Sequence, residues 1–326
     1  MFRFIVRRIL IIPFALLAVN FLGFAFAHLA LRFHQLQNPY GATDQGPPQV
    51  GKLYLTYLQK TLQGDFGQMP QAGLSVAEAV GKATIASLGL LIIAFTLSVG
   101  LGLLLGLRGI RSEKAEVAPW IAPLAAVGLA MPSFYIGTLF IFAGVSYILR
   151  GGEGAQSPLP LQGFGWDLHL VLPTLALMVR PMVQITQITA GLSAGEMGKQ
   201  YIVAARGKGH SWQEVRWKHA FRNVLAPVVL TIAGSFRLLA GELVLVEYLF
   251  SWPGLGRLLA QTLIPPTVAM GSRLSGASIL FLHPELVAAM LSIFTLWFLV
   301  ADMVFSAIAR QVDPRLQVHV EETSHV

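Results

Sequence analysis

Six stretches of this chain are each long and apolar enough to cross a lipid bilayer, which leaves almost no choice of architecture. Hydrocarbon offers no water to the backbone, so each stretch must satisfy its own N–H and C=O groups as a helix. A crossing takes about 20 mostly apolar residues. The stretches fall at Ile9–Leu31, Ala83–Leu107, Ala118–Leu149, Leu168–Ser193, Val224–Phe250 and Leu286–Ala309. Only 12% of the residues are charged, against about a quarter in soluble domains. The expectation is an all-α integral membrane protein with six transmembrane helices. The first run follows "MFRFIVRR" and lacks a clean small-residue cleavage site, so it reads as a retained helix rather than a signal peptide.

The net charge of +7 is a question of placement. Arg3, Arg7, Arg8, Arg108, Arg111, Lys114, Lys199, Arg206, Lys208, Arg216, Lys218, Arg222, Arg310 and Arg315 fall on one side of the six spans. Arg32, Lys52, Lys60, Lys82, Arg150, Arg257 and Arg273 fall on the other. Fourteen against seven, with the excess in short loops, follows the positive-inside rule and puts both termini in the cytoplasm. The basic charge therefore tracks membrane lipid and topology and gives no reason to invoke nucleic acid. The chain has no cysteine, which excludes disulfides, thiolate metal sites and a thiol nucleophile.

The spans divide the chain into residues 1–31, the N-terminus and first helix; 32–82, an extracytoplasmic segment; 83–310, five helices with their loops; and 311–326, a cytoplasmic tail. Residues 108–117 read as a tight inner turn, 150–167 as a Gly/Pro-rich outer loop, and 251–285 as a longer outer excursion opening with "SWPGLGR". Pro132, Pro173 and Pro181 are expected to kink their spans.

The longest inner loop, 194–223, carries structure signals of its own. Ser211 and Glu214 form a capping box, the serine oxygen accepting from a backbone N–H three residues on while the glutamate reaches back. Upstream, "KQYIVAARGKG" has Ala204 and Ala205 favouring helix, and Gly207 and Gly209 able to turn the chain at its end. The expectation is helix, glycine turn and second helix leading into Val224. A loop needed only to hold positive charge inside would have no use for a capping box, an Ala pair flanked by Gly, and Trp212 and Trp217.

"YIVAARGKGHSWQEVRWKHAFRNVLAPVV", together with "AMPSFYIGTLF", "GDFGQ", "HLVLPTLAL", "EYLFSWPGLGRLL" and "VDPRL", resembles the membrane-spanning permease subunits of bacterial ATP-binding-cassette importers, in their dipeptide/oligopeptide/nickel branch. The resemblance runs over residues 50–316. The wider superfamily's acidic first residue of the loop triplet is Val203 here, His210 stands where leucine is common, Gln187 and Ala190 replace an Arg-x-x-Arg pair, and the outer insertion at 262–284 is long.

The resemblance implies the type I importer membrane fold and a permease forming half of a translocation pathway for short peptides, with nickel chelates or another small solute as the alternative cargo. It implies a second homologous permease, two ATPase subunits that bind ATP and Mg, and an extracytoplasmic solute-binding protein, in a bacterial or archaeal inner membrane. No G-x-x-x-x-G-K-[ST] sequence occurs, so no cofactor is expected in this chain. The coupling loop it implies comprises Tyr201, Ala204, Ala205, Arg206, Lys208, Gly209, Ser211 and Glu214, with a first helix at about 199–208 whose alanines let it approach an ATPase closely. Ionisable groups within spans are costly, so Arg180, Arg237, Glu242 and Glu247 are expected to face the pathway, a partner or one another. Arg237 and Glu242 are five residues apart, about 140° around a helix, so they are not direct neighbours, and each is expected either to bridge to another helix or to contact substrate. A secondary transporter would show repeated halves and coupling acids, and an intramembrane enzyme a nucleophile or metal motif. Neither pattern is seen.

Overall fold

The computed structural model describes residues 2–36, 49–69, 74–152, 154–264 and 280–312. Much of the outer segment's "NPYGATDQGPPQ", most of the 262–284 insertion, and the "VDPRL" tail beyond Val312 lie outside these residues. The described chain is almost entirely helical: α1 (Phe2–Leu36), α2 (Val50–Leu62), α3 (Val76–Arg108), α4 (Ile121–Ala130), α5 (Ser133–Arg150), α6 (Val171–Met197), α7 (Gln200–Gly207), α8 (Trp212–Glu214), α9 (Phe221–Leu249), α10 (Leu255–Leu263) and α11 (Pro284–Val312). Two small antiparallel hairpins complete it. In one, β1 (Gln68–Met69) pairs with β2 (Leu74–Ser75), and in the other β3 (Ile110–Arg111) pairs with β4 (Glu116–Val117). The second hairpin is the tight turn expected at 108–117, with Ala115 at φ 54°.

Among the described residues six helices are of membrane-crossing length: Leu10–Leu36, Val76–Arg108, Ser133–Arg150, Leu168–Met197, Trp212–Leu249 and Pro284–Gln311. The third differs from the expected Ala118–Leu149. Met131 leaves the helix at φ −95°, ψ 117° and Pro132 follows at ψ 151°, so α4 and α5 are separate helices rather than one kinked span. Proline favours such a break, because it crowds its predecessor out of the helical region and donates no N–H. Pro173 sits in the first turn of α6, where its missing N–H costs nothing, and it is Pro181 that lies inside that helix.

By packing, the chain divides into two units: residues 1–88 with 252–300, and residues 89–251 with 301–326. In the first, Phe24 of α1 stacks on Tyr57 of α2 at 5.0 Å. Asn20 accepts from the Tyr54 hydroxyl at 3.2 Å and donates to Ser292 Oγ at 3.0 Å, tying α1 to α2 and α11. Fully buried Trp252 donates its indole N–H to the Ala86 carbonyl at 3.0 Å, which anchors "SWPGLGR" as the turn before α10.

The second unit is built around α6. Arg180 pairs with Glu242 and Gln184 with Ser235, so α6 and α9 run antiparallel. Along α3, Ser98 donates to the Met178 carbonyl at 3.2 Å, while a Cβ at Gly102 or Gly106 would fall within 2.8 Å of Ile185 or 2.7 Å of Thr189. These contacts step forward together, so α3 and α6 are parallel. Small residues let helices approach where lipid supplies no hydrophobic drive between them. The parallel pairing brings the ends of α3 and α6, and hence the 108–117 hairpin and the 194–223 loop, to the same end of this unit.

Candidate functional site

At that end a small apolar core forms from Leu107, Ile110, Ala194, Met197, Ile202, Ala205, Val215 and Ala220. It locks α7 onto the ends of α3, α6 and the start of α9. Arg216 reaches across and donates to the Leu107 carbonyl at 2.8 Å, satisfying a C-terminal orphan of α3. Tyr201 adds a polar clamp: its hydroxyl donates to Glu196 Oε2 at 2.6 Å and accepts from Asn223 Nδ2 at 2.9 Å, and Lys199 Nζ lies 2.5 Å from Glu196 Oε1. Burial and then the adjacent Glu196 carboxylate push the Tyr201 hydroxyl up to about 12. Glu196 was not singled out in the sequence, because a lone carboxylate at a helix end signals nothing until Tyr201 and Asn223 are folded onto it.

The local signals hold in part. Helix α7 ends as a Gly-capped turn, Gly209 at φ +90° with its N–H on the Arg206 carbonyl at 2.9 Å. Ser211 Oγ accepts from Glu214 N at 3.2 Å, the first half of a capping box. The Glu214 carboxylate instead lies 2.9 Å from Lys218 Nζ ahead of it and 3.4 Å from His210 Nδ1 behind it. After α8 the chain passes through a π-helical turn, Val215–Ala220, directly into α9. Residues 212–249 are therefore one continuous helical rod from the loop into the membrane.

Helix α7 has two faces. Ile202 and Ala205 point into the core, while Val203, 69% exposed, with Ala204, Gly207 and Lys208 point away from it. This corrects the expectation that both alanines face a partner. Ala204 does lie on the outward face, whereas Ala205, 7% exposed, is consumed by the protein's own packing. Arg206 is also turned home: its guanidinium lies 4.3 Å over the Trp212 ring and donates to the His210 carbonyl at 2.5 Å. Beside α7 runs an open groove of about 760 Å³ whose wall includes Trp217, Lys218 and Arg222.

Within the membrane-length helices two charged pairs form across elements. Glu242 of α9 takes Arg180 of α6 and the hydroxyl of buried Ser133 at the start of α5. Arg237 of α9 takes Asp302 of α11 at 2.9 Å. Glu247 is fully buried. The Arg237 pair differs from the other in exposure, 51% for the arginine side chain and 33% for the aspartate. Arg237 lies near the middle of the stretch 224–249, about 18–20 Å along the helix axis from either end. A charge facing lipid at such depth costs at least about 2.5–3.5 kcal/mol. Among the described residues no three His, Asp or Glu side chains converge as a metal site would require.

Six helices of membrane-crossing length, with a short loop helix locked to the ends of three of them, define a multi-pass membrane protein. Residues 98–318 match the family described as binding-protein-dependent transport system inner membrane component, and the chain belongs to it. The oligopeptide transport system permease protein AppB of Bacillus subtilis (strain 168) is 28% identical over 233 residues, 70% of this chain and 72% of that one. The dipeptide transport system permease protein DppB of Escherichia coli (strain K12) is 28% identical over 300 residues, 81% of this chain and 88% of that one. A probable peptide ABC transporter permease protein, y4tP of Sinorhizobium fredii, is 29% identical over 219 residues, 64% of this chain and 67% of that one. The protein is thus an inner-membrane component of a binding-protein-dependent transport system.

Proposed function

We propose that this chain is one of two membrane-spanning permease subunits of an ATP-driven importer of short peptides, moved by ATPase subunits that dock on the outward face of α7. Two ATPases would supply ATP and Mg chemistry, a homologous permease the other half of the pathway, and an outer solute-binding protein the cargo. The permease core would be residues 83–310, and the termini and the 194–223 loop would lie in the cytoplasm. The observation that carries the coupling role is the two-faced packing of α7. Its inner face is fastened to α3, α6 and α9, so a force on Val203, Ala204 or Lys208 is delivered to three spans as a rigid-body displacement rather than absorbed by a slack loop. The continuous rod 212–249 extends that displacement into the membrane. The peptide cargo is supported by what the relatives are named for, and nothing in the described residues favours the nickel-chelate alternative.

The test is the assembled transporter with Val203→Glu. A charge on the outward face should leave the permease in the membrane and paired with its sister, yet reduce ATPase retention on co-purification and abolish uptake in reconstituted vesicles. Normal uptake with the ATPases bound would return the loop to a mere topology signal.

A further inference from the structure

Helix α11 begins at a cap that depends on one unprotonated histidine. Leu282 enters it in the left-handed region, φ 50°, which a leucine adopts only at a cost, and its N–H is held by the Thr262 carbonyl at 2.9 Å. His283 then stands at the N-cap: its carbonyl accepts from Val287 N at 3.0 Å, and its ring Nδ1 accepts from Leu286 N at 3.4 Å. Pro284 follows in the first helical position, where its missing N–H costs nothing. The ring also donates to the Gln68 carbonyl of β1. An imidazole can accept at one nitrogen and donate from the other only while it is neutral. Beside it the Glu285 side chain lies across Gly67, where a Cβ would run into its carboxylate. The first turn of α11 is thus tied to the β1–β2 hairpin through His283. Within two turns of the cap, Ala288 is fully buried with Phe24, Tyr54 and Tyr57 in the core that joins α1, α2 and α11.

We infer that His283 is an acid-sensitive latch on the last span: its protonation removes the cap and releases the first turn of α11 from the hairpin, so that transport falls in acid. The proton takes the Nδ1 lone pair that accepts the Leu286 N–H, which leaves two donors face to face. It also puts a positive charge at the positive end of the helix dipole. The groups that share a cavity of about 310 Å³ with the ring are His28 of α1, Tyr57 and Lys60 of α2, and Glu285 of α11. Asp65 stands near Glu285, and His34 of α1 packs on Phe281, two residues before the cap. Lys60 and a protonated His28 oppose a charge on His283, while Glu285 favours it. Burial holds His283 below the ordinary histidine value of 6.5, although the Gln68 carbonyl pulls the other way. With the folded value depressed, the contribution of the cap is complete above pH 6.5 and is lost as pH falls through the folded value. Which side's acidity is sensed rests on the topology proposed above, which puts this junction outside, whereas the latch stands without it.

The chain has no cysteine, so a single Ala288→Cys reports the release of α11 cleanly. In the assembled transporter in vesicles, a thiol reagent should label this cysteine faster as the outer pH falls from 7.5 to 5.5. The rise should be about 2- to 30-fold, the usual worth of one helix cap, once the rates are divided by those for free cysteine at the same pH. Adding His283→Asn should hold the labelling flat, since an amide oxygen caps the Leu286 N–H without titrating, and should remove the acid loss of uptake. Adding His28→Gln should keep both responses. Flat labelling in the parent, an acid response that survives His283→Asn, or one that is lost in His28→Gln would each overturn the inference. A response to acid inside the vesicles alone would reverse the topology and keep the latch.

Discussion

Neighbouring alanines on α7 should respond in opposite ways to the same substitution. Ala205 is 7% exposed and packs in the core formed with Leu107, Ile202 and Val215, so Ala205→Leu forces three extra carbons into a filled space. Overpacking of that kind costs about 1–3 kcal/mol. The strain can be relieved by releasing α7 alone, so the population of the detached loop should rise by roughly 5- to 150-fold. Ala204→Leu adds the same carbons to an exposed position, where the cost is within about 0.5 kcal/mol. Lys199, Arg206 and Lys208 bracket the helix as trypsin sites. Cleavage there tracks the detached population when opening and closing outrun the protease. Purified permease with Ala205→Leu should therefore be nicked at these sites many times faster than the parent, and Ala204→Leu at the parent rate. In the assembled transporter Ala204→Leu should nonetheless lose ATPase subunits, because its leucine stands on the face proposed to dock them. Equal cleavage rates for the two variants, with ATPase loss confined to Ala205→Leu, would refute the assignment of inner and outer faces.

Other outcomes follow from the same packing. A single cysteine at Ser211 should stay unlabelled by an impermeant thiol reagent in intact cells and react once the membrane is opened; labelling from outside would invert the topology. Tyr201 has its folded pKa raised to about 12 from 10, so its contribution to loop stability is complete below pH 10 and is lost as pH rises through 12; Tyr201→Phe should abolish that alkaline rise in trypsin sensitivity. Glu242→Gln leaves the Arg180 charge without its counter-ion and should destabilise the purified permease by about 3 kcal/mol, whereas the double change with Arg180→Gln should recover most of that loss in thermal unfolding. Gly106→Val should separate α3 from α6, because a Cβ there falls 2.7 Å from Thr189, and should lower the yield of folded permease in mild detergent.

Much of this protein is legible along the chain because its strongest constraints are local or come from the solvent. A bilayer demands long apolar helices, and five of the six spans stand where hydropathy puts them, their ends within seven residues except at the fifth, which the helical rod extends back to Trp212. The Ser211 cap and the Gly209 turn are also readable, since each involves residues three or four apart whose geometry the backbone imposes directly. Pro132 carried its signal too, but whether a proline kinks or breaks a span depends on what the freed ends pack against. Tertiary structure alone decided which charges meet. Arg237 and Asp302 are separated by 65 residues, and Arg180 and Glu242 by 62, distances over which no periodicity speaks. It also decided that Ala205 turns inward while Ala204 faces out. Both residues favour helix equally, and the difference between them is one of direction, set by where α3, α6 and α9 happen to lie.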